Sequence, residues 1–262
     1  MIDDIWDSVR QVRSQRPLVL NITNFVVMNN TANALLALGA SPIMAHACEE
    51  IEDLVAATGA VVVNIGTLSP PWTAAMRLAA RKATAAGKPW VLDPAGAGAT
   101  AYRDTTAAGL SALNSDVIRG NASEVLVLAG LAGVTKGVDA TVEVEDSLPA
   151  ASRLTEATHA VVAVTGRTDY VIFGHERRAV HNGHAMMARV TGLGCTATAL
   201  VGAFIAAVRD PFAATLHALA VLGVAGEMAA EKAEGPGSLQ MVLLDALYAI
   251  DRPTLAARVR ID

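Results

Sequence analysis

The stretch VTGLGCTATALVGAFIAAV, residues 190–208, decides how this chain is read. It carries no charged residue and is long enough to span a bilayer. Its first half, however, contains Thr191, Gly192, Gly194, Cys195, Thr196 and Thr198, and lacks the Leu, Ile and Phe content that drives insertion. Elsewhere the apolar runs are short and alternate with charged helical segments. The stretch is therefore read as a buried core helix opened by a glycine-rich turn, not as a membrane span.

Outward from that helix, short β-branched runs alternate with longer Ala/Leu-rich helical runs. This pattern indicates an α/β fold whose mostly parallel sheet is covered by helices on both faces. Strands are predicted over 18–22, 61–65, 90–92, 117–118, 160–164 and 171–173. The continuous run Val61-Val62-Val63 suits a strand covered on both sides. Helices are predicted over 3–14, 28–38, 49–57, 71–86, 123–129 and 147–158. The C-terminal region reads as successive helices over 195–208, 211–234 and 237–250. Segment 133–139, with Lys136 and Gly137, reads as a surface loop. No linker-like or charge-block segment divides residues 1–262, so a single domain is expected, without a separate lid domain.

Composition narrows the function. A hydrophobic content of 53% excludes a disordered chain. A net charge of −5, without any Lys/Arg-rich block, argues against nucleic-acid binding. The start Met1-Ile2-Asp3-Asp4 shows no signal-peptide pattern. Cys48 and Cys195 are too few for a disulfide framework, so a reduced, cytoplasmic protein is expected.

Several predicted strands run into polar or glycine-rich turns: Thr23-Asn24, Gly66-Thr67, Asp93-Pro94-Ala95-Gly96, Arg119-Gly120-Asn121 and Thr165-Gly166. In an open parallel sheet the carboxyl ends of the strands line the ligand crevice, so these five ends should meet on one rim. Gly192, Leu193, Gly194 and Cys195 precede the core helix and form a candidate anion hole of backbone N–H groups. The run also fits a dinucleotide fingerprint, but the elements after it are helices rather than a second strand. No Walker A string is present. Cys195 lies on the first helical turn, where a thiol pKa can be lowered; it reads equally as a small buried hydrophobe. Asp93, ending a strand, and Glu124, on a helix start that Asn121 caps, are the carboxylates best placed for Mg²⁺, although Glu124 taken alone reads first as a partner of the helix dipole. His46, Cys48, Glu49 and Glu50 read as an exposed helix start rather than a zinc site. His175, His181 and His184 read as surface residues.

The strings Asn21-Ile22-Thr23-Asn24-Phe25, Pro42-Ile43-Met44-Ala45, Asn64-Ile65-Gly66-Thr67, Leu92-Asp93-Pro94-Ala95-Gly96, Arg119-Gly120-Asn121, Val164-Thr165-Gly166 and Thr191-Gly192-Leu193-Gly194-Cys195 occur in this order. Together they resemble the hydroxyethylthiazole kinase family, thiamine-salvage enzymes of the ribokinase-like superfamily. The resemblance covers nearly the whole chain. It implies a ribokinase-like fold and ATP-dependent phosphorylation of the alcohol of 4-methyl-5-(2-hydroxyethyl)thiazole. It also implies a cytoplasmic homotrimer with interfacial active sites and Mg²⁺ as cofactor. Carried over by position, Met44, Gly192 and, more weakly, Asn24 would meet the thiazole. Arg119 and Thr165 would bind ATP phosphates, and Asp93 and Glu124 would hold Mg²⁺ directly or through water. Cys195 would be the catalytic residue, where most ribokinase-like kinases carry Asp as base.

Three rival functions follow from the same fold: a kinase of hydroxymethylpyrimidine-type alcohols, a nucleotide-dependent dehydratase and a non-catalytic nucleotide binder. The first two should carry the Asp form of the motif. The third fits poorly with Asp93, Arg119, Glu124 and Cys195 all being present.

Overall fold

The computed structural model describes residues 1–131 and 143–262. Its elements in chain order are α1 (Ile2–Gln15), β1 (Leu18–Ile22), α2 (Met28–Leu38), β2 (Ser41–Met44), α3 (Cys48–Ala57), β3 (Ala60–Asn64), α4 (Pro70–Ala85) and β4 (Trp90–Asp93). There follow α5 (Ala101–Ser111), β5 (Val117–Asn121), α6 (Ala122–Leu128), α7 (Val144–Thr158), β6 (Val161–Thr165), β7 (Asp169–Phe173) and β8 (Glu176–Val180). A 3₁₀ turn (Ala185–Arg189) leads to α8 (Leu193–Ala207), α9 (Pro211–Ala230), α10 (Pro236–Ala249) and α11 (Arg252–Arg258).

The eight strands form one sheet in the order β2-β1-β3-β4-β5-β6-β7-β8. β2 to β6 are parallel, and β7 and β8 are antiparallel. Side chains alternate between the two faces of the sheet. In β3, Ala60 and Val62 enter one core while Val61 and Val63 enter the other. The first core takes apolar residues of α1, α2 and α8 to α11; the second takes those of α3 to α7. This two-sided burial is why the central strands read as unbroken apolar runs.

Helix α8 lies close on the sheet. A Cβ at Gly202 would stand 2.5 Å from Val62 Cγ2, so only glycine permits this approach. The membrane-like stretch is thus core, with Phe204, Val201 and Leu200 fully buried. Among the described residues, α9 is long and apolar enough to cross a bilayer, and 78% of its apolar window is buried inside the protein.

Two strands and two helices escape the sequence pattern. β2 and β8 are the outermost strands, and neither alternates cleanly. β2 contains Pro42, which an edge strand tolerates. β8 exposes Glu176, Arg177 and Arg178 and buries only Ala179 and Val180. Its outer edge bonds the C-terminal residues, Ala179 N–H donating to Asp262 O at 2.9 Å and His181 N–H to Arg260 O at 2.9 Å. α5 and α11 are announced by their caps: Thr100 Oγ1 accepts from Arg103 N–H at 3.3 Å, and Asp251 Oδ1 from Thr254 N–H at 2.9 Å. α7 begins earlier than predicted, and α9 ends at Ala230 instead of reaching 234. The loop expected over 133–139 lies outside the described residues.

One core contact makes stability depend on pH. His217 of α9 is buried, with Nδ1 2.8 Å from Ser8 Oγ of α1. Burial pushes its pKa down to about 4. The folded value lies below the ordinary His value of about 6.5, so the unfolded chain takes up the proton first as pH falls. The contribution of His217 is complete above about pH 6.5 and is lost toward pH 4, about 3 kcal/mol in all. Urea midpoints should therefore fall across that window, and His217→Gln should remove this part of the slope. An unchanged slope in the variant would contradict the assignment.

Candidate active site

The C-terminal ends of β1, β3, β4, β5 and β6 point the same way along the parallel sheet, and α8 begins against them. Gly192, the N-cap of α8, has φ 81°, a left-handed conformation suited to glycine. A Cβ there would also stand 2.5 Å from Val27 Cγ1. At Gly194 a Cβ would stand 2.6 Å from Arg119 Nη1, so the guanidinium rests directly on the first turn of the helix. The N–H groups of that turn, which have no partner within the helix, and the Arg119 charge thus bring positive charge together at one spot.

Asp93 ties this helix to the sheet. Thr198 Oγ1 donates to Asp93 Oδ2 at 2.7 Å, and Arg119 Nη1 lies 3.8 Å from the same oxygen. Asp93 Oδ1 is buried and has no hydrogen-bond partner. Arg119 Nη2 also donates to Thr165 Oγ1, joining the ends of β5 and β6. Burial pushes the Asp93 carboxyl above the usual range, although Arg119 and Thr198 oppose the shift.

Glu124 is fixed by the start of α6. Its Oε2 accepts from Asn121 N–H at 2.8 Å, while Asn121 Oδ1 accepts from Glu124 N–H at 2.9 Å. This reciprocal pair is a capping box. Oε1 accepts from Gly96 N–H at 2.9 Å, fastening the turn that follows Asp93. Burial, with the negative charge of Asp93, raises the Glu124 carboxyl.

A pair of buried amides supports the thiol. Asn24 Nδ2 donates to Asn64 Oδ1 at 2.8 Å and to Cys195 Sγ at 3.5 Å. Asn64 Oδ1 also accepts from Gly66 N–H at 2.9 Å, and Asn64 Nδ2 is buried without a partner. Asn64 and Thr198 were missed from sequence. The signal for Asn64 was its place at the end of β3, in register with Asp93. Thr198 lies one turn beyond Gly194 on α8, and no local pattern marks it.

The expected lowering of the Cys195 pKa does not occur. Burial pushes the thiol up to about 12, the Asp93 charge adds to this, and Arg119 with the Asn64 and Asn24 amides only partly offsets it. Dehydration of the thiolate outweighs the helix N-terminus.

Arg119, Thr165, Gly192 and Gly194 line one end of a cleft of about 870 Å³, a size suited to a small ligand. Its far wall includes Met187, Leu219 and Leu222. His175, His181 and His184 are exposed, as the sequence suggests; His181 and His184 also line this cleft, and His175 lies in the β7–β8 turn. Asp169 also lines the cleft and receives the Gly166 N–H at 2.9 Å. Burial pushes its carboxyl up to about 6. Met44 stands apart, half-buried at the end of edge strand β2, opposite Asn21. His46 and Cys48 are exposed at the start of α3, and the His46 ring lies 4.5 Å from that of Trp72.

For Mg²⁺ the relevant observation is the uncommitted Asp93 Oδ1. Among the described residues no group of three or more His, Cys, Asp or Glu forms a metal cage. A Mg²⁺ bound with substrate phosphates needs only one or two carboxylates, and the Asp93–Glu124 pair supplies oxygen donors of that kind.

The model of the hydroxyethylthiazole kinase family matches residues 9–253. A hydroxyethylthiazole kinase from Leptospira biflexa serovar Patoc (strain Patoc 1 / Ames) is 51% identical over 254 residues, covering 97% of this chain and 95% of that protein. One from Vibrio parahaemolyticus serotype O3:K6 is 51% identical over 262 residues, covering 100% and 98%. The structure of a hydroxyethylthiazole kinase protein from Pyrococcus horikoshii OT3 superposes with a TM-score of 0.92 at 44% identity, covering 98% of each chain. The pyridoxal kinase from Staphylococcus aureus, solved with pyridoxal, reaches a TM-score of 0.65 at 15% identity, covering 80% of this chain and 88% of that one. That likeness is one of fold, and the architecture is ribokinase-like.

The raised thiol pKa has a direct readout. In native protein treated with iodoacetamide at pH 8, the exposed Cys48 should alkylate while Cys195 stays unmodified, as judged by peptide mass spectrometry. Rapid labelling of native Cys195 at that pH would show a thiolate and contradict the argument.

Proposed function

The chain belongs to the hydroxyethylthiazole kinase family, and from that premise we propose how its cleft phosphorylates the alcohol of 4-methyl-5-(2-hydroxyethyl)thiazole with ATP, a step of thiamine salvage. The observation that carries the proposal is the Arg119 guanidinium lying on the first turn of α8, 3.8 Å from the Asp93 carboxyl, whose other oxygen has no partner. A transferred phosphoryl group needs such a spot, where fixed dipoles and charge await the developing negative charge.

In this reading Arg119 and Thr165 bind the ATP phosphates, and the N–H groups of Gly192, Leu193, Gly194 and Cys195 form the anion hole. Asp93 and Glu124 would hold Mg²⁺, directly or through water, and the ion would neutralise phosphate charge during transfer. Asp93 has the free oxygen for this, whereas both Glu124 oxygens already accept backbone N–H bonds. Cys195 touches the reacting alcohol as a neutral thiol. Phosphoryl transfer relies mainly on positioning and charge, so a strong base is not required: as the alcohol oxygen bonds to phosphorus and ADP leaves, its proton passes to an oxygen of the transferred phosphoryl group.

The thiazole would lie beyond Cys195, toward Gly192, Asn24 and Met44. Next to Asn24 the side chains of Phe25 and Val26 are 68% and 63% exposed, an apolar pair that a second subunit would cover. This supports a subunit contact beside the site, and the homotrimer with interfacial active sites is what the family resemblance implies. We read residues 1–262 as one kinase domain and the enzyme as cytoplasmic, where two free cysteines suit a reducing compartment.

The decisive experiment offers purified protein Mg-ATP with either the hydroxyethylthiazole or a hydroxymethylpyrimidine and follows ADP release. Turnover with the thiazole alcohol is expected, and turnover with the pyrimidine alone would overturn the reading. In the same assay Arg119→Ala should raise the KM for ATP far more than that for thiazole. Cys195→Ser should cost less than the roughly 10²–10⁴-fold in kcat that loss of a general base brings. A loss inside that range would make the sulfur a base.

A further inference from the structure

We propose that Asn182, Glu227 and Arg260 form a brace that positions the 182–188 wall of the cleft for ATP. The inference rests on reading the cleft as the nucleotide site. None of the three residues touches the reacting atoms, so each acts as a positioning residue.

The wall is held from behind by α9. A Cβ at Gly223 would stand 2.6 Å from Asn182 Cβ and 2.9 Å from its carbonyl carbon. A Cβ at Gly226 would stand 2.2 Å from Met187 Sδ. One turn of α9 is thus left bare so that the chain after β8 can lie on the helix. Such close backbone approach fixes depth but not rotation, and the polar network supplies the rest.

Glu227, on the same helix, gathers three donors on Oε1: Gly183 N–H at 3.0 Å, Asn182 Nδ2 at 3.0 Å and Arg260 Nη2 at 2.6 Å. Asn182 is buried and spends its amide fully. Its Nδ2 also donates to Arg258 O at 2.7 Å, and its Oδ1 accepts from Arg260 N–H at 2.8 Å. Arg260 Nη2 closes the ring by donating to His181 O at 2.8 Å. Burial pushes the Glu227 carboxyl up, but the bonds from Gly183, Arg260 and Asn182 outweigh it and hold the group below its usual range.

Three distant segments therefore meet at one carboxylate, and the segment they restrain is the one that lines the cleft. Gly183 has φ 127°, which glycine alone adopts readily, and its N–H is fixed by Glu227. His184, Ala185 and Met187 follow it along the wall. Releasing Glu227 frees this wall without touching Asp93, Arg119 or Cys195. The expected consequence is weaker nucleotide binding with the transfer step intact.

The test compares Glu227→Ala, Glu227→Gln and Arg260→Ala with the parent enzyme, measuring kcat, both KM values and thermal midpoint. Arg260 is half exposed, so Arg260→Ala remains informative even where Glu227→Ala fails to fold. Expected is a rise of about tenfold in the KM for ATP, the size of one lost charge-assisted hydrogen bond. The KM for thiazole and kcat should stay within about twofold, with Glu227→Gln between parent and Glu227→Ala. Equal movement of both KM values, or a lowered thermal midpoint with both unchanged, would reduce the network to a stability role and overturn the proposal. Arg119→Ala separates the two layers of argument. An unchanged ATP KM in Arg119→Ala overturns the nucleotide assignment and the brace with it. A raised one beside unchanged Glu227→Ala and Arg260→Ala overturns the brace alone.

Discussion

The bond from Thr198 to Asp93 ties the first turns of α8 to the end of β4, and the rest of the site hangs on that tie. It is made inside the protein, between a carboxylate and a hydroxyl that are both almost fully buried. Gly202 lets the same helix settle onto Val62, so α8 is seated at two points along its length. With the helix fixed, Gly194 comes under Arg119, and Cys195 comes within reach of Asn24. The positive spot is thus a product of packing, since a helix displaced by one turn would no longer bring Gly194 under Arg119, which β5 carries.

The central strands were legible because they are buried on both sides. Val61-Val62-Val63 can hardly be anything else, and the polar residues directly after such runs fall on the functional rim. Asp93, Arg119 and Thr165 stand at strand ends by that logic, and Glu124 on the helix start after β5; the roles of Arg119 and Thr165 came from the family resemblance. β2 and β8 were not legible because an edge strand has only one neighbour to satisfy, so its sequence can be proline-containing or charged. Asn64 and Thr198 were missed for another reason. Each is polar within an apolar element, and its partner lies far along the chain.

Cys195 shows where local reasoning misleads. Its place on a first helical turn argues for a thiolate, but its burial, with the Asp93 charge nearby, argues for a thiol against the pull of Arg119 and two amides. The second effect is larger because burial acts on the whole charge while the helix terminus supplies only a partial one. The same contrast explains the apolar C-terminal half of the chain. α8 and α9 look lipid-soluble only when read without the sheet and the helices that cover them.

The resting of Arg119 on the bare backbone of Gly194 has one more consequence. A guanidinium and a helix N-terminus are both positive, and in the free protein their mutual repulsion is relieved only in part, by Asp93. A small oxyanion bound there would relieve that repulsion and, by binding the folded chain and not the unfolded one, would stabilise the fold by mass action. Sulfate or phosphate would then act differently from chloride of equal ionic strength, which would only screen.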